Sequence, residues 1–232
     1  MKNLFYSGML LFCLFLPFSL PAQETEKVTH KTKDPKTKAV YHIIKGTGIK
    51  HGPYERVFKG TMSFKEMGQY DHDQPAGVWE YFNAQGKLIQ KFNFSTYEFE
   101  MMEDFRAVKA VFILEGEDLV EVTSGEKPVL LGGDAKVLYN LVHNLEYPYG
   151  AKVRKAQGTV GVWVTVTRDG RMTRPLITDP VDKALDEEAL RVISLLPDEW
   201  IPLHIDGQAR DSVVLLTINF KQSFSSSVQT MR

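Results

Sequence analysis

The 232-residue chain has a single cysteine, and it lacks the motifs that usually mark an enzyme. Cys13 lies in an N-terminal apolar run, so a chain without that run has no disulfide, no thiol nucleophile and no thiolate metal site. No Gly-x-Ser-x-Gly, His-Glu-x-x-His, phosphate loop or zinc-ligand spacing is present, and the six histidines are scattered. We therefore predict no catalytic residues, no metal site and no cofactor.

The chain also lacks an excess of charge of either sign. It carries 28 Lys and Arg residues against 29 Asp and Glu residues. Such a balance creates no overall field that would attract nucleic acid or an anionic membrane. We predict no nucleic-acid partner, and membrane contact only if the N-terminal apolar run is retained.

The one long apolar run, Leu4–Leu20, follows Lys2 and precedes Pro21-Ala22-Gln23. This arrangement is typical of a secretory signal peptide, which we assign to residues 1–22 and which predicts export from the cytoplasm. The alternative is a retained inner-membrane anchor facing the periplasm. The run is at the short end for a membrane span of about 20 residues, and Pro17 interrupts it.

Residues 23–38 are rich in lysine and have no large apolar side chain other than valine. This composition predicts a solvated, disordered leader. A basic arm that binds a surface is the alternative, although acidic residues are interspersed.

A weak repeat follows, in which residues 51–70 parallel residues 76–94. Glycines punctuate short aromatic-rich runs, a pattern that predicts strands joined by tight turns and therefore stacked hairpins. The aromatic side chains Tyr54, Trp79, Tyr81 and Phe82 are expected to form the core of this module, with a ligand-stacking platform as the alternative.

The glycine-aromatic pattern resembles MORN-type repeats, in the variant found in bacterial YwqK-like proteins. The residues that carry the resemblance are Gly52-Pro53-Tyr54, Gly68-Gln69-Tyr70, Gly77-Val78-Trp79-Glu80-Tyr81-Phe82 and Gly86-Lys87-Leu88. The resemblance implies a binding or spacer surface rather than an active site. We assign residues 39–123 to this module and its connecting hairpin.

Asp71-His72-Asp73 is the one cluster whose residue types suit a metal ion. Adjacent residues of a strand point to opposite faces, however, and Gln74-Pro75-Ala76-Gly77 has the composition of a turn. We therefore expect a solvated hairpin loop here, and the same for His51.

Residues 108–114 and 117–122 are β-branched runs on either side of Glu115-Gly116, which predicts a hairpin. We expect this hairpin to extend the sheet of the first module. The turn-forming residues 124–128 mark the predicted domain boundary.

The second module is predicted to run helix, hairpin, helix, strand. Asp134 is a plausible N-cap for a first helix, and alternate valines at 160–166 predict a half-buried strand that ends at Asp169-Gly170. Residues 182–196 have the apolar stripe of a helix, and the apolar run 212–220 predicts a central strand. Pro175 on the return strand must face an edge or a bulge. The fold class is α+β: an antiparallel β-hairpin repeat module, then a small antiparallel sheet with a helix packed on one face.

The order and punctuation of this second module resemble the C-terminal domain of TonB-type energy transducers. The resemblance covers residues 129–221 and leaves 222–232 as a tail. It is carried by Gly132-Gly133, Tyr147-Pro148, Gln157-Gly158 with the valine strand, Asp169-Gly170, Leu185-Asp186 with Ala189, Pro197, Trp200, Pro202 and Gly207. In that family the domain binds a short segment of an outer-membrane receptor, partly by adding a strand to a sheet edge.

The resemblance implies a non-enzymatic periplasmic adaptor that binds a protein of the cell envelope, with an outer-membrane receptor or transporter as the candidate partner. The alternative is a membrane-anchored TonB-like energy transducer, or an accessory of a nutrient-uptake complex. Besides the exposed side of strand 212–220, the residues expected to bind the partner are Tyr147, Pro148, Arg168, Asp169, Gly170, Arg171 and Trp200. Trp200 could equally be a core residue.

Overall fold

The computed structural model describes residues 23–33 and 36–222. The predicted signal peptide and residues 223–232 of the predicted tail lie outside the described residues. In the described part of the chain, no helix has both the length and the apolar character needed to cross a membrane.

The first sheet is a meander in which each strand pairs antiparallel with the next. Its seven strands are β1 (Thr25–Lys33), β2 (Lys36–Ile44), β3 (Lys50–Phe58), β4 (Phe64–Asp71), β5 (Gln74–Phe82), β6 (Leu88–Asn93) and β7 (Glu98–Met102). Tyr54 and Trp79 are buried on one face with ring centroids 5.2 Å apart. Gly68 makes this packing possible, because a Cβ there would lie 2.5 Å from the Trp79 ring. The predicted hairpin module is confirmed as an antiparallel sheet.

The prediction of a disordered leader at residues 23–38 is wrong for those of its residues that the structure describes. Strand β1 pairs with β2 over its whole length, from Thr25↔Ile44 to Lys33↔Lys36. Threonine and valine favour extended backbone, and an edge strand needs a hydrogen-bonded neighbour rather than a large apolar side chain. Its lysines remain in solvent, where they protect the sheet edge from pairing with other chains.

The second sheet has five strands in the order β12-β11-β16-β8-β9. They are β8 (Val108–Glu115), β9 (Asp118–Glu121), β11 (Gly158–Val166), β12 (Met172–Asp179) and β16 (Ser212–Phe220). Two short ladders accompany it, β10 (Val129–Leu130) with β13 (Trp200–Ile201), and β14 (Leu203–Ile205) with β15 (Gln208–Arg210).

The predicted hairpin β8–β9 is present, but it does not extend the first sheet as expected. Strand β8 pairs with β16, for example at Val214↔Val111. The chain therefore passes from one sheet to the other between β7 and β8, ahead of the predicted boundary at 124–128. A β-branched hairpin can join either sheet, because its own residues specify its turn and not its neighbour.

The helices are α1 (Gly133–Asn144), α2 (Tyr149–Arg154) and α3 (Lys183–Ile193). Leu185, Ala189 and Val192 of α3 have no exposed surface, and they pack in the same core as the valines of β11. The helix packed on one face of a small antiparallel sheet is thus confirmed. Strand β16 is central, and Pro175 lies on the edge strand β12, as predicted.

The structure corrects the prediction that Asp134 is the N-cap of α1. Gly132 occupies that position with a φ of 90° and no side-chain cap. Asp134 instead accepts backbone N–H groups from Arg106 and Ala107, with oxygen–nitrogen distances of 3.1 and 2.9 Å. Its carboxylate therefore holds the segment that enters β8, a contact between residues too distant in the chain for a local capping rule to predict.

The two sheets share an interface built around α1. Leu131 and Ile201 pack in the aromatic core of the first sheet. Gln90 of β6 is almost completely buried, and its Oε1 accepts the N–H of Gly132 at 2.7 Å. Because a buried amide needs partners of this kind, the contact orients the start of α1 against the first sheet.

Candidate protein-binding surface

The turn between β11 and β12 contains four of the predicted binding residues, Arg168–Arg171. Gly170 has a φ of 78°, and a Cβ there would lie 2.2 Å from the carbonyl oxygen of Trp200. Trp200 in turn donates its backbone N–H to the Gly170 carbonyl at 3.2 Å. Only glycine fits both the left-handed backbone and this close approach, so the turn is held against β13.

The side chain of Arg168 is directed across the base of the turn to Asp211. Its backbone N–H donates to Asp211 Oδ1 at 2.8 Å, and its Nε donates to the same oxygen at 3.1 Å. These hydrogen bonds with Arg168 lower the pKa of Asp211. Asp169 pairs with Arg171 at 2.9 Å, and all four side chains are more than half exposed. The turn thus presents a fixed arrangement of two cations and two anions to solvent.

Trp200 contributes to this surface only through its backbone. Its side chain is 3 % exposed and packs 6.0 Å from the Phe105 ring. Its indole N–H is buried, and among the described residues it has no hydrogen-bond partner. The backbone of Trp200 thus holds the Arg168–Arg171 turn in position, while its buried side chain offers no surface for a partner to contact.

Tyr147 and Pro148 lie near the start of β11 and the end of β16, at the opposite end of these strands from the Arg168–Arg171 turn. The Tyr147 hydroxyl donates to the Ala156 carbonyl, and its ring meets that of Phe220 edge-on at 5.7 Å. Pro148 precedes α2 and accepts the N–H of Lys152 at 3.0 Å. Phe220 pairs with Gly158 at the start of β11, whereas the turn follows its end. The structure therefore splits the predicted site residues into two separate groups.

Strand 212–220, whose exposed side was expected to bind the partner, is paired along both of its edges. Strand β11 lies on one side of β16 and β8 on the other. The free edges of this sheet are β12 and β9. Strand β12 has Pro175 and two register irregularities, devices that discourage strand addition. Strand β9 has neither and is exposed along its whole length.

A groove of about 690 Å³ connects the hairpin β8–β9 with the Arg168 turn. Apolar side chains line its hairpin side, among them Ile113, Leu114 and Leu119, and Leu114 is 66 % exposed. Arg168 and Asp211 line the opposite side. The groove therefore combines exposed apolar surface with charged groups, beside a free strand edge.

The tip and outer strand of the hairpin are strongly acidic. Four exposed carboxylates lie here and, among the described residues, have no ion-pair partner: Glu115, Glu117, Asp118 and Glu121. No basic residue occurs between Val111 and Glu126. The sequence predicted this hairpin but did not indicate that it forms part of a binding surface, because only the pairing of β8 with β16 brings it beside Arg168.

Comparison with known proteins identifies part of this architecture. Residues 143–222 match the family model described as the Gram-negative bacterial TonB protein C-terminal. This part of the chain is therefore similar to a TonB C-terminal domain. The match implies a TonB-like protein-interaction role in the cell envelope. No curated protein and no solved structure matches the chain.

The TonB-like domain includes every predicted binding residue, from Tyr147 to Trp200, but not the hairpin β8–β9 or most of α1. The strand that covers β16 therefore comes from the part of the chain preceding the matched region. The chain supplies its own extra strands to this domain, which moves the free edge from β16 to β9.

Proposed function

We propose that the protein is a non-enzymatic periplasmic adaptor that binds an extended segment of an envelope protein by strand addition at β9, the edge strand that the hairpin β8–β9 adds to the sheet of the TonB-like domain. The observation that supports this proposal most directly is the free, exposed edge of β9 beside the apolar groove. An added strand gains backbone hydrogen bonds from the edge, and the groove selects its side chains.

The outward-facing backbone of β9 can be assigned from its pairing. The N–H of Val122 donates inward to the Val111 carbonyl at 2.8 Å. Inward and outward groups alternate along an antiparallel ladder, so the N–H groups of Leu119 and Glu121 face outward. These two groups are the donors that a partner strand would use.

The charge of the hairpin favours a particular kind of segment. With four carboxylates and no basic residue in the hairpin itself, a segment that alternates apolar and basic residues complements it best. An outer-membrane receptor or transporter with such a periplasmic segment is the proposed partner. The first sheet, which resembles MORN-type repeats, serves in this proposal as the rigid support that holds the hairpin segment and α1.

Site-specific photo-crosslinking in cells tests the proposal. A crosslinking amino acid replaces Leu119 on β9 or, as the matched control, Leu176, an exposed leucine on the β12 edge. We expect an adduct with one envelope protein from position 119 and not from 176. Adducts from 176 alone would place the binding edge at β12, and no adduct from either position would contradict strand addition to this sheet.

The crosslinked segment, synthesised as a peptide, then separates backbone pairing from side-chain contact. Leu119→Pro removes an outward N–H, whereas Leu119→Thr removes the apolar side chain and keeps that N–H. We expect the proline variant to lose at least ten-fold more affinity than the threonine variant. Equal losses would show that the peptide binds through the groove alone.

The second candidate, a membrane-anchored energy transducer, is favoured by the TonB family match itself. It requires Leu4–Leu20 to remain in the inner membrane. Intact mass of the protein from soluble periplasmic and membrane fractions distinguishes the two. A soluble form that begins near Gln23 supports the adaptor, and a full-length form confined to the inner membrane supports the transducer.

A further inference from the structure

Two histidines and an aspartate converge at one end of the first sheet. His51 Nδ1 lies 3.2 Å from Asp71 Oδ1, and His72 Nδ1 lies 2.6 Å from the same oxygen. The two imidazole rings are 5.1 Å apart between centroids. One ligand atom from each residue lies within 4.8 Å of the other two.

The strand register brings these residues together. Gly52 pairs with Tyr70, so the next pair outward places His51 opposite Asp71. Because neighbouring residues of a strand alternate between faces, both lie on the face opposite Tyr54 and Tyr70. From the sequence alone, His51 is expected only as a loop residue and is not placed beside Asp71, because the two belong to neighbouring strands.

Asp73 fixes the turn that carries His72. Its Oδ1 accepts the N–H of Lys50 at 2.8 Å, and its own N–H donates to the Lys50 carbonyl at 2.9 Å. Two of the three consecutive residues Asp71–Asp73 thus face a common point, while the third attaches the turn to β3. The three residues Asp71–Asp73 therefore need not all point to the ion, because the remaining ligand, His51, comes from β3.

The atoms suit a transition metal of the zinc type. Imidazole nitrogen and carboxylate oxygen bind Zn²⁺ at about 2.0–2.2 Å, which separates tetrahedral ligand atoms by roughly 3.3 Å. The His51–Asp71 distance of 3.2 Å already matches. The His72–Asp71 distance of 2.6 Å is that of a hydrogen bond, and it must lengthen by less than about 1 Å when a metal replaces the shared proton.

We propose that His51, Asp71 and His72 form a binding site for a divalent transition-metal ion, with water as the fourth ligand. This replaces the sequence-based expectation of a solvated loop without a metal. The Asp71 and His72 side chains are 63 and 57 % exposed, so the cluster lies at the surface, whereas His51 Nδ1 is buried and, among the described residues, has no hydrogen-bond partner. A bound ion links β3 directly to the β4–β5 turn, and the site is independent of the proposed β9 edge.

The site can be tested by isothermal titration calorimetry, in which Zn²⁺ is added to the full chain. The protein is purified without a polyhistidine tag, because such a tag binds Zn²⁺ itself. We expect saturable binding of one ion per chain, together with a rise in melting temperature that grows with Zn²⁺ concentration. His51→Gln and His72→Asn should each weaken binding at least ten-fold. Asparagine tolerates the left-handed backbone of position 72, where φ is 48°, so this variant preserves the turn.

His30→Gln is the matched control, because this exposed histidine lies on β1 outside the cluster. It should bind Zn²⁺ as the unaltered chain does. An equal loss of affinity in all three variants would show adventitious binding to surface histidines and would overturn the proposal. The absence of one-to-one binding in the unaltered chain, or unchanged binding in both site variants, would overturn it as well.

Discussion

Lys136 Nζ of α1 lies 3.2 Å from Glu66 Oε2 of β4, and the two side chains are only 5 and 4 % exposed. Glu199 accepts a hydrogen bond from Lys136, and Arg56 lies 2.6 Å from Glu66. Burial alone would lower the pKa of Lys136, but the carboxylates of Glu66 and Glu199 outweigh it and raise that pKa. A charged network therefore joins the first sheet to the part of the chain that leads into the TonB-like domain.

Removing the lysine should destabilise the whole molecule. Lys136→Ala leaves the buried carboxylate of Glu66 with one cation fewer, and breaking a buried pair in this way typically costs about 3–5 kcal/mol. Urea unfolding followed by tryptophan fluorescence measures the loss. Lys183→Ala, which removes an exposed lysine 3.9 Å from Glu187, is the control and should change little. Similar midpoints for the two variants would mean that the network does not contribute to stability.

The same network predicts how stability depends on pH. Burial by itself would raise the pKa of Glu199, but Lys136 and Arg56 lower it below its ordinary value of 4.5. The unfolded chain therefore binds a proton at this group before the folded chain does, so the contribution of Glu199 is present above pH 4.5 and is lost as the pH falls below it. Lys136, whose pKa is raised above its ordinary 10.5, loses its contribution only as the pH rises beyond that value.

Urea unfolding between pH 7 and pH 3 tests whether the free energy of unfolding falls in this pH range as described. Glu199→Gln should lower stability at pH 7 and make its decline below pH 4.5 shallower. The exposed Glu187→Gln provides the comparison and should keep the original pH profile. A profile for Glu199→Gln parallel to that of the unaltered chain would contradict the assigned role.

Gly170 provides a test of the contact beneath the Arg168–Arg171 turn. Alanine at Gly170 or at Gly207 meets a similar positive φ, 78° and 72°, but only at Gly170 does a Cβ approach another atom, the Trp200 carbonyl oxygen. The backbone strain common to both should cost about 1–2 kcal/mol. Gly170→Ala should cost clearly more, because Trp200 or the turn has to move.

Thermal unfolding of the two alanine variants measures this difference. Gly170→Ala should also weaken crosslinking from position 119, if the turn helps to shape the groove beside β9. Equal melting temperatures would show that the turn is free to move away from Trp200.

Several features of the fold follow from residues close together in the chain. The alternating valines of β11 and the Asp169-Gly170 turn predict their own conformation, as does the apolar stripe of α3. The second module was predicted as an α+β domain resembling TonB, and the family match at residues 143–222 supports that part of the prediction. Local propensity and periodicity suffice for such elements, because each reflects the geometry of one strand, turn or helix.

Other features depend on which distant residues meet. Composition alone suggested a disordered leader at 23–38, yet a neighbouring strand makes it β1. Asp134 has the residue type of an N-cap but instead binds the segment before β8.

The candidate sites likewise combine features that neighbouring residues predict with features that depend on contacts between distant residues. The sequence by itself determined strands such as β11 and β16, the Asp169-Gly170 turn, the α+β class and the resemblance to TonB, since these depend on neighbouring residues. Only the tertiary structure decided that β8 covers β16, that Trp200 is buried beneath a turn, and that His51 lies beside Asp71. Each of these depends on strand pairing between residues far apart in the chain, and alternation along one strand does not specify its partner.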